Sequence, residues 1–280
     1  MDDNLSNNNP HRRFNLLTGE WVLVSPHRAK RPWQGKAEPI ILQDQPEHDP
    51  NCYLCPGNKR KNGRNNPDYK HTYVFDNDFP ALLDNANSGG NIDNIDNLFI
   101  TQSVSGTARV ICFSPKHNIS MAQMDLDSIK EVIITWGKEI DALAIKYKWI
   151  QVFENKGDIM GCSSPHPHGQ IWASEHLPNE ARKECKQQEE FFHKNNANLL
   201  LTYAKSEVKK KVRVIIEEEH WVVIIPFWAM WPFETLLLPK DRVISHLNDL
   251  TEDEQESLAK TLKQLLCAYD NLFNVSFPFS

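Results

Sequence analysis

Gly161-Cys162-Ser163-Ser164-Pro165-His166-Pro167-His168-Gly169-Gln170 sets two imidazoles and an amide at alternate positions. In an extended strand, side chains at i, i+2 and i+4 point to one face. The spacing therefore predicts that His166, His168 and Gln170 converge on one pocket. Pro165 and Pro167 stiffen the run and remove two backbone donors. Gly161 and Gly169 allow the backbone to approach a ligand closely. These residue types suit a phosphate ester: an imidazole can attack phosphorus, and an amide can donate to a charged oxygen. The plainer reading is a polar surface loop with two chance histidines. It has less support, because the rest of the chain supplies further parts of such a site.

Strands and helices are expected on both sides. Trp149 to Glu154 alternates as a strand does, and Gly169 to Ser174 reads as another. Ala108 to Phe113 is expected to be a buried strand and Thr72 to Phe75 a short one. Asp125 to Tyr147 reads as a helix capped by Asp125 or Asp127, with Ile129, Val132, Ile133, Trp136, Ile140 and Leu143 as its apolar stripe. Nearer the start, Glu20 to Ser25 is the one expected strand, 56–70 a turn-rich loop, and the Asn/Gly/Asp-rich segment 84–98 a mobile loop. Beyond the histidines, Asn179 is expected to cap a charged helix. Val212 to Ile216, Trp221 to Ile225 and Glu234 to Leu238 read as strands. Thr251 to Phe273 reads as a long helix, opened by a Thr251/Glu254 capping box.

Phe113-Ser114-Pro115-Lys116-His117 leads to one long helix, and Leu238-Pro239-Lys240-Asp241 leads to the other. This recurrence predicts a duplicated α+β unit, mainly antiparallel sheet with flanking helices. The halves are read as 1–195, with the metal ligands and nucleophile, and 196–280. The 52 residues from Lys116 to His168, counted on from Lys240, run past Ser280. The second copy is thus expected to be incomplete, as in a shortened chain; a divergent repeat without that strand is the alternative.

The net charge of −6 over 280 residues argues against a general nucleic-acid surface, which needs a basic excess. The start, Met1-Asp2-Asp3-Asn4-Leu5-Ser6-Asn7, has no apolar run, and no segment has the length to cross a bilayer. A cytoplasmic protein is expected.

Cys52-Tyr53-Leu54-Cys55 offers two thiolates to one tetrahedral metal, and zinc wants two more ligands. No second Cys-x-x-Cys exists, so His117 and His166 are the best candidates to complete a Cys2His2 site. Such a metal would pin the His166 end of the loop and so position His168. A redox dithiol is disfavoured because no thioredoxin-like βαβ pattern surrounds the pair; two unligated thiols are the remaining alternative. Arg28-Ala29-Lys30-Arg31 is a short basic patch suited to a diphosphate, though charge runs are usually solvated. Asn77-Asp78 and Asn155 stand beside expected strands. They can read a base or ribose hydroxyls, or serve as ordinary turn residues.

The chain resembles the galactose-1-phosphate uridylyltransferase family of the histidine-triad superfamily. Trp21-Val22-Leu23-Val24-Ser25-Pro26-His27-Arg28, Tyr73-Val74-Phe75-Asp76-Asn77-Asp78-Phe79, Val152-Phe153-Glu154-Asn155-Lys156-Gly157, the His-Pro-His-Gly-Gln run and Trp231-Pro232-Phe233-Glu234-Thr235 carry the resemblance. It implies uridylyl transfer between UDP-glucose and galactose 1-phosphate, with His168 as nucleophile and Gln170 contacting the phosphoryl oxygens. It also implies zinc on Cys52, Cys55, His117 and His166. Nucleotide-sugar contacts are implied for Arg28, Arg31, Lys61, Asn77, Asp78, Asn155, Gly161, Cys162 and Ser163. Glu184 would be one ligand of a second, iron-type site whose further ligands are missing from this chain. A homodimer is implied, with Arg28 reaching the neighbouring site. The competing expectations are a nucleotide-sugar phosphorylase or hydrolase of the same superfamily, and an inactive zinc- and nucleotide-binding protein.

Overall fold

A computed structural model describes residues 9–30, 45–84, 92–96, 98–157, 160–162, 164–273 and 278–279. The elements begin with strands β1 (His11–Asn15), β2 (Glu20–Val24), β3 (Tyr73–Asp76), β4 (Ile92–Ile95), β5 (Phe99–Gln102) and β6 (Gly106–Cys112). Helix α1 (Leu126–Ala144) is followed by β7 (Trp149–Asn155), β8 (His168–Ser174), α2 (Asn179–Asn195) and α3 (Leu199–Lys210). The remainder is β9 (Val214–Glu217), β10 (Trp221–Ile224), β11 (Leu236–Pro239), α4 (Glu252–Phe273) and β12 (Pro278–Phe279). The chain divides into two compact units, each built from two stretches: 1–39 with 178–243, and 40–177 with 244–280. The fold is α+β, and every strand pairing among the described residues is antiparallel.

The unit formed by 40–177 and 244–280 carries a five-stranded sheet in the order β12-β7-β8-β6-β3. Strand β8 lies at its centre, with Cys112 opposite His168 and Val110 opposite Gln170. Ile111 and Ile171 are fully buried. Helix α1 buries Ile129, Val132, Ile133, Trp136 and Leu143, five of the six residues of the expected stripe; Ile140 stays half-buried. Asp125 caps α1 by accepting from the Ser128 N–H at 2.7 Å. The capping box of α4 is present: Thr251 N–H donates to Glu254, and Glu254 N–H donates to Thr251 Oγ1.

The other unit holds the β1–β2 hairpin, a three-stranded sheet in the order β11-β10-β9, and helices α2 and α3. Ala204 of α3 packs with Val222, Ile224 and Leu238 of that sheet.

Three expectations need correction. Asn179 does not cap α2: Pro178 takes the cap position, and Asn179 is the first helical residue. Part of the segment read as a loop, 84–98, is strand, because Ile92–Ile95 pairs with Phe99–Gln102; residues 85–91 and 97 lie outside those described. Finally, β1 accompanies β2, where only one strand was expected.

Candidate active site and metal centre

The His-Pro-His-Gly-Gln run divides at its first proline step. Strand β8 begins at His168, not at His166. From there the period of two holds: His168 and Gln170 are half-buried on one face, while Gly169 and Ile171 are buried on the other. His166 precedes the strand, and its ring turns into the protein, where it is fully buried. The expected convergence thus holds for His168 and Gln170, and His166 is corrected to a different centre.

That centre is a cluster of Cys52, Cys55, His117 and His166, all buried, whose ligand atoms lie within 4.8 Å of one another. Cys55 Sγ is 3.6 Å from His117 Nδ1 and 3.5 Å from His166 Nδ1. Ligands of a tetrahedral zinc stand about 3.3–3.8 Å apart, given bonds of about 2.0–2.3 Å. The donor set therefore fits a metal of the zinc type. The surroundings fit as well. His166 Nε2–H donates to the Ser114 carbonyl at 2.9 Å, so Nδ1 is left without a proton and faces Cys55. Leu54 N–H donates to Cys52 Sγ at 3.4 Å. Tyr69 lies against the same ring, its hydroxyl donating to the Leu54 carbonyl at 2.7 Å. Burial pushes the Cys55 thiol up to about 12 and brings His166 down to about 4. Dry thiols and neutral imidazoles are the state from which a cation displaces thiol protons. Among the described residues, no other set of three or more His, Cys, Asp or Glu side chains gathers in this way.

His168 is built differently. Its Nδ1–H donates to the His166 carbonyl at 2.7 Å, because a carbonyl can only accept. The proton is thereby fixed on Nδ1, and Nε2 keeps its lone pair. Burial holds the ring below the usual imidazole range, opposed by that backbone bond. Gln170 Oε1 accepts from Trp172 Nε1 at 3.2 Å, which leaves its NH2 as the donating end.

His168 and Gln170 line a cavity of about 490 Å³, together with Asn77, Asp78 and Lys61. Its apolar wall is Tyr53, Leu54, Phe75 and Val110. This wall is the part sequence reasoning missed, although Leu54 lies between the two cysteines and Phe75 in an expected strand. A recess of about 50 Å³ adjoins it, lined by His168, Gln170, Asn155, Gly161 and Cys162. Gly161 takes a φ of +78°, which favours glycine. Gly169 serves packing: a Cβ there would meet Phe113 at 2.8 Å and the Phe153 carbonyl at 2.9 Å. A third hollow of about 210 Å³ is lined by Glu154, Lys156, His166 and His168.

The other expected residues are placed as follows. Arg28 is exposed on a short 3-10 turn, Pro26–Lys30. Arg31 and Ser163 lie outside the described residues. Glu184 is half-buried on α2, its carboxyl held above the usual range by burial and by Glu180. It belongs to no metal-binding group among the described residues. No described helix is long and apolar enough to cross a membrane.

An imidazole with one nitrogen bonded to a backbone carbonyl and the other open to a cavity, beside a buried Cys2His2 cluster, defines a class of group-transfer site. Comparison with known proteins gives the class its family. The family model for the galactose-1-phosphate uridyl transferase N-terminal domain matches residues 1–178, and that for the C-terminal domain matches 184–280. The chain is 49% identical over 271 residues to the galactose-1-phosphate uridylyltransferase of Haemophilus influenzae, covering 97% of this chain and 77% of that protein. It is 47% identical to the enzyme of that name from Rattus norvegicus, covering 96% and 70%. Among solved structures, an ADP-glucose phosphorylase from Arabidopsis thaliana aligns with a TM-score of 0.73 at 27% identity, covering 96% of this chain and 81% of that one. The chain belongs to the galactose-1-phosphate uridyl transferase family and is a transferase.

Proposed function

We propose that this chain transfers a uridylyl group between UDP-glucose and galactose 1-phosphate in two half-reactions, through a uridylyl-His168 intermediate. One observation carries the reading: the 2.7 Å bond from His168 Nδ1 to the His166 carbonyl, which fixes the tautomer with Nε2 as the free base. The relatives that share the enzyme name support the choice of substrates.

In the first half-reaction Nε2 attacks the α-phosphorus, and the bond to the glucose 1-phosphate oxygen breaks. The ring gains positive charge as the P–N bond forms, and the His166 carbonyl dipole stabilises it at Nδ1–H. The leaving group is a phosphate with its second pKa near about 6, so it departs with little help from an acid. Gln170 suits this step, since its NH2 donates to a phosphoryl oxygen but cannot move a proton. In the second half-reaction a galactose 1-phosphate oxygen attacks phosphorus, the P–N bond breaks, and UDP-galactose forms.

Zinc would be held by Cys52, Cys55, His117 and His166, where it would cross-link the segments that fix the His166 carbonyl. Asn77, Asp78, Lys61, Asn155, Gly161 and Cys162 line the cavity and recess and are assigned to the nucleotide sugar. Arg28, Arg31 and Ser163 belong to the same set. The reading includes a cytoplasmic homodimer, with Arg28 serving the neighbouring copy, and Glu184 as one ligand of a second, iron-type site.

The test is peptide mass spectrometry after incubation with UDP-glucose alone. A uridylyl adduct on His168, absent in His168→Ala and discharged by galactose 1-phosphate to UDP-galactose, is the expected result. No adduct on the metal-loaded protein would defeat the reading. Discharge by inorganic phosphate in place of the sugar phosphate would favour a nucleotide-sugar phosphorylase, the activity named for the Arabidopsis neighbour.

A further inference from the structure

We propose that Arg60 is a positioning residue that holds Asp78 for the ribose of the nucleotide, so that the metal knuckle sets the nucleoside end of the site as well as the nucleophile. The inference rests on reading the large cavity as the nucleotide site. Arg60 is 8% exposed, although guanidinium groups are rarely so deep without full pairing. Its Nη2 lies 3.5 Å from Asp78 Oδ1, and both side chains are 7% exposed. Its guanidinium carbon stands 4.3 Å from the centre of the Phe75 ring, on the cavity wall.

This pair is not a closed structural fork. Such forks bring two N–H groups onto a carboxylate at about 2.7–2.9 Å. Here the contact is single and long, and Arg60 Nε and Nη1, like Asp78 Oδ1, are buried with no hydrogen-bond partner among the described residues. Buried polar groups left unpaired are costly and call for a functional explanation. Among the described residues, Asp78 Oδ2 is met by the Asn62 N–H alone, at 3.2 Å. A carboxylate has about four acceptor positions, so Asp78, on the cavity wall, keeps room for donors such as the paired hydroxyls of a ribose.

Arg60 takes its position from the cysteine knuckle. Asn58 Nδ2 donates to the Cys52 and Asp49 carbonyls, both at 2.8 Å. Asn66 Nδ2 donates to the Tyr53 and Cys55 carbonyls at 2.9 and 3.0 Å. Between these clamps the loop closes on itself, with Arg60 N–H donating to the Arg64 carbonyl at 2.8 Å. The chain of contacts thus runs from cysteine backbone to Asn58 and Asn66, to Arg60, to Asp78.

The experiment is equilibrium binding of UDP-glucose and its 2′-deoxyuridine analogue to the metal-loaded wild-type, Arg60→Ala and Arg60→Lys proteins. The wild type is expected to prefer the ribose form by about 10- to 100-fold, the worth of a hydrogen bond to a charged acceptor. Arg60→Ala is expected to lose most of that preference, and Arg60→Lys, which keeps charge but not the flat fork, to retain part of it. A general loss of packing would weaken both ligands alike and leave the ratio unmoved, which would overturn the proposal. If Arg60→Ala does not fold, Arg60→Lys decides: a full wild-type ratio overturns the proposal and a reduced one supports it. Equal wild-type binding of both ligands overturns this proposal alone. Wild-type binding of neither overturns the nucleotide reading together with it.

Discussion

His166 and His168 are separated by one proline, yet they belong to two different centres. His166 is fully buried in a closed cluster of thiols and imidazoles, with its proton on Nε2 and its lone pair on Nδ1. His168 is half-exposed on a cavity, with its proton on Nδ1 and its lone pair on Nε2. In each case a backbone carbonyl selects the tautomer, and the free nitrogen is left for the Cys55 thiol in one case and for the cavity in the other. The two regions are connected, because the carbonyl that orients His168 belongs to His166. A ring held inside a rigid cluster makes its own backbone a fixed acceptor.

Substituting each ring by alanine is the strongest way to break this comparison. His168→Ala is expected to cut uridylyl transfer by about 10⁴-fold or more, the scale for removing a nucleophile. It should leave metal content and Tm near wild type, since no cluster ligand is lost. His166→Ala and Cys52→Ser are expected to lose metal and several kcal/mol of stability, because metal-binding free energy is folding free energy at such sites. Metal analysis beside thermal melts checks both halves. A His168→Ala protein that loses metal, or a Cys52→Ser protein that keeps it, would merge the two regions into one.

How much of this was legible in the sequence follows the same division. The Cys52–Cys55 pair and His168 with Gln170 could be read because their spacing is local, whereas His117 and His166, 62 and 111 residues from Cys55, were reached only as the best candidates to complete the metal's ligands. Helices α1 and α4 could be read because an apolar stripe and a capping box are period signals. The hairpin of β4 and β5 could not: all four β5 residues are exposed, so no buried face imprints a pattern. Strand β1, His11-Arg12-Arg13-Phe14-Asn15, has charged residues where alternation would be sought, and only pairing with β2 makes it a strand. The turn of His166 away from His168 was hidden because strand β8 starts after the second proline. Arg60 was invisible for a different reason: its partners meet it only in the folded state.

Glu154 extends the comparison to the hollow of about 210 Å³ that both histidines line. Burial pushes its carboxyl up to about 8 from 4.5, with Lys156 opposing and Asp270 adding to the rise. The folded state therefore holds a proton that the unfolded chain releases above about 4.5. Unfolded chains bind fewer protons in that window, so the stabilisation is full below pH 4.5 and is lost as pH climbs through about 8. Glu154→Gln, neutral at every pH, is expected to remove this decline and to gain on the order of a few kcal/mol over wild type at pH 8. Denaturant melts at pH 5.5 and pH 8 check it. Parallel curves for the two proteins would mean that Glu154 is charged where it lies.

The smallest expected effect sharpens the cavity side alone. Trp172 Nε1 donates to Gln170 Oε1, and Phe153 packs edge-on to the same indole with ring centres 5.5 Å apart. Replacing Trp172 by Phe keeps an aromatic surface but removes the donor that, among the described residues, tells the Gln170 carbonyl from its NH2. The amide is then free to flip, and an oxygen facing a phosphoryl oxygen repels it. Adduct formation is expected to slow by about three- to tenfold, the worth of roughly 1 kcal/mol of neutral hydrogen bond, with UDP-glucose affinity and metal content near wild type. Single-turnover labelling checks the rate. A larger fall accompanied by lost affinity would show the indole holding the cavity wall instead of the amide's direction. An unchanged rate would leave Gln170 oriented by the substrate itself, so that the nucleophile would be set before binding and its partner only afterwards.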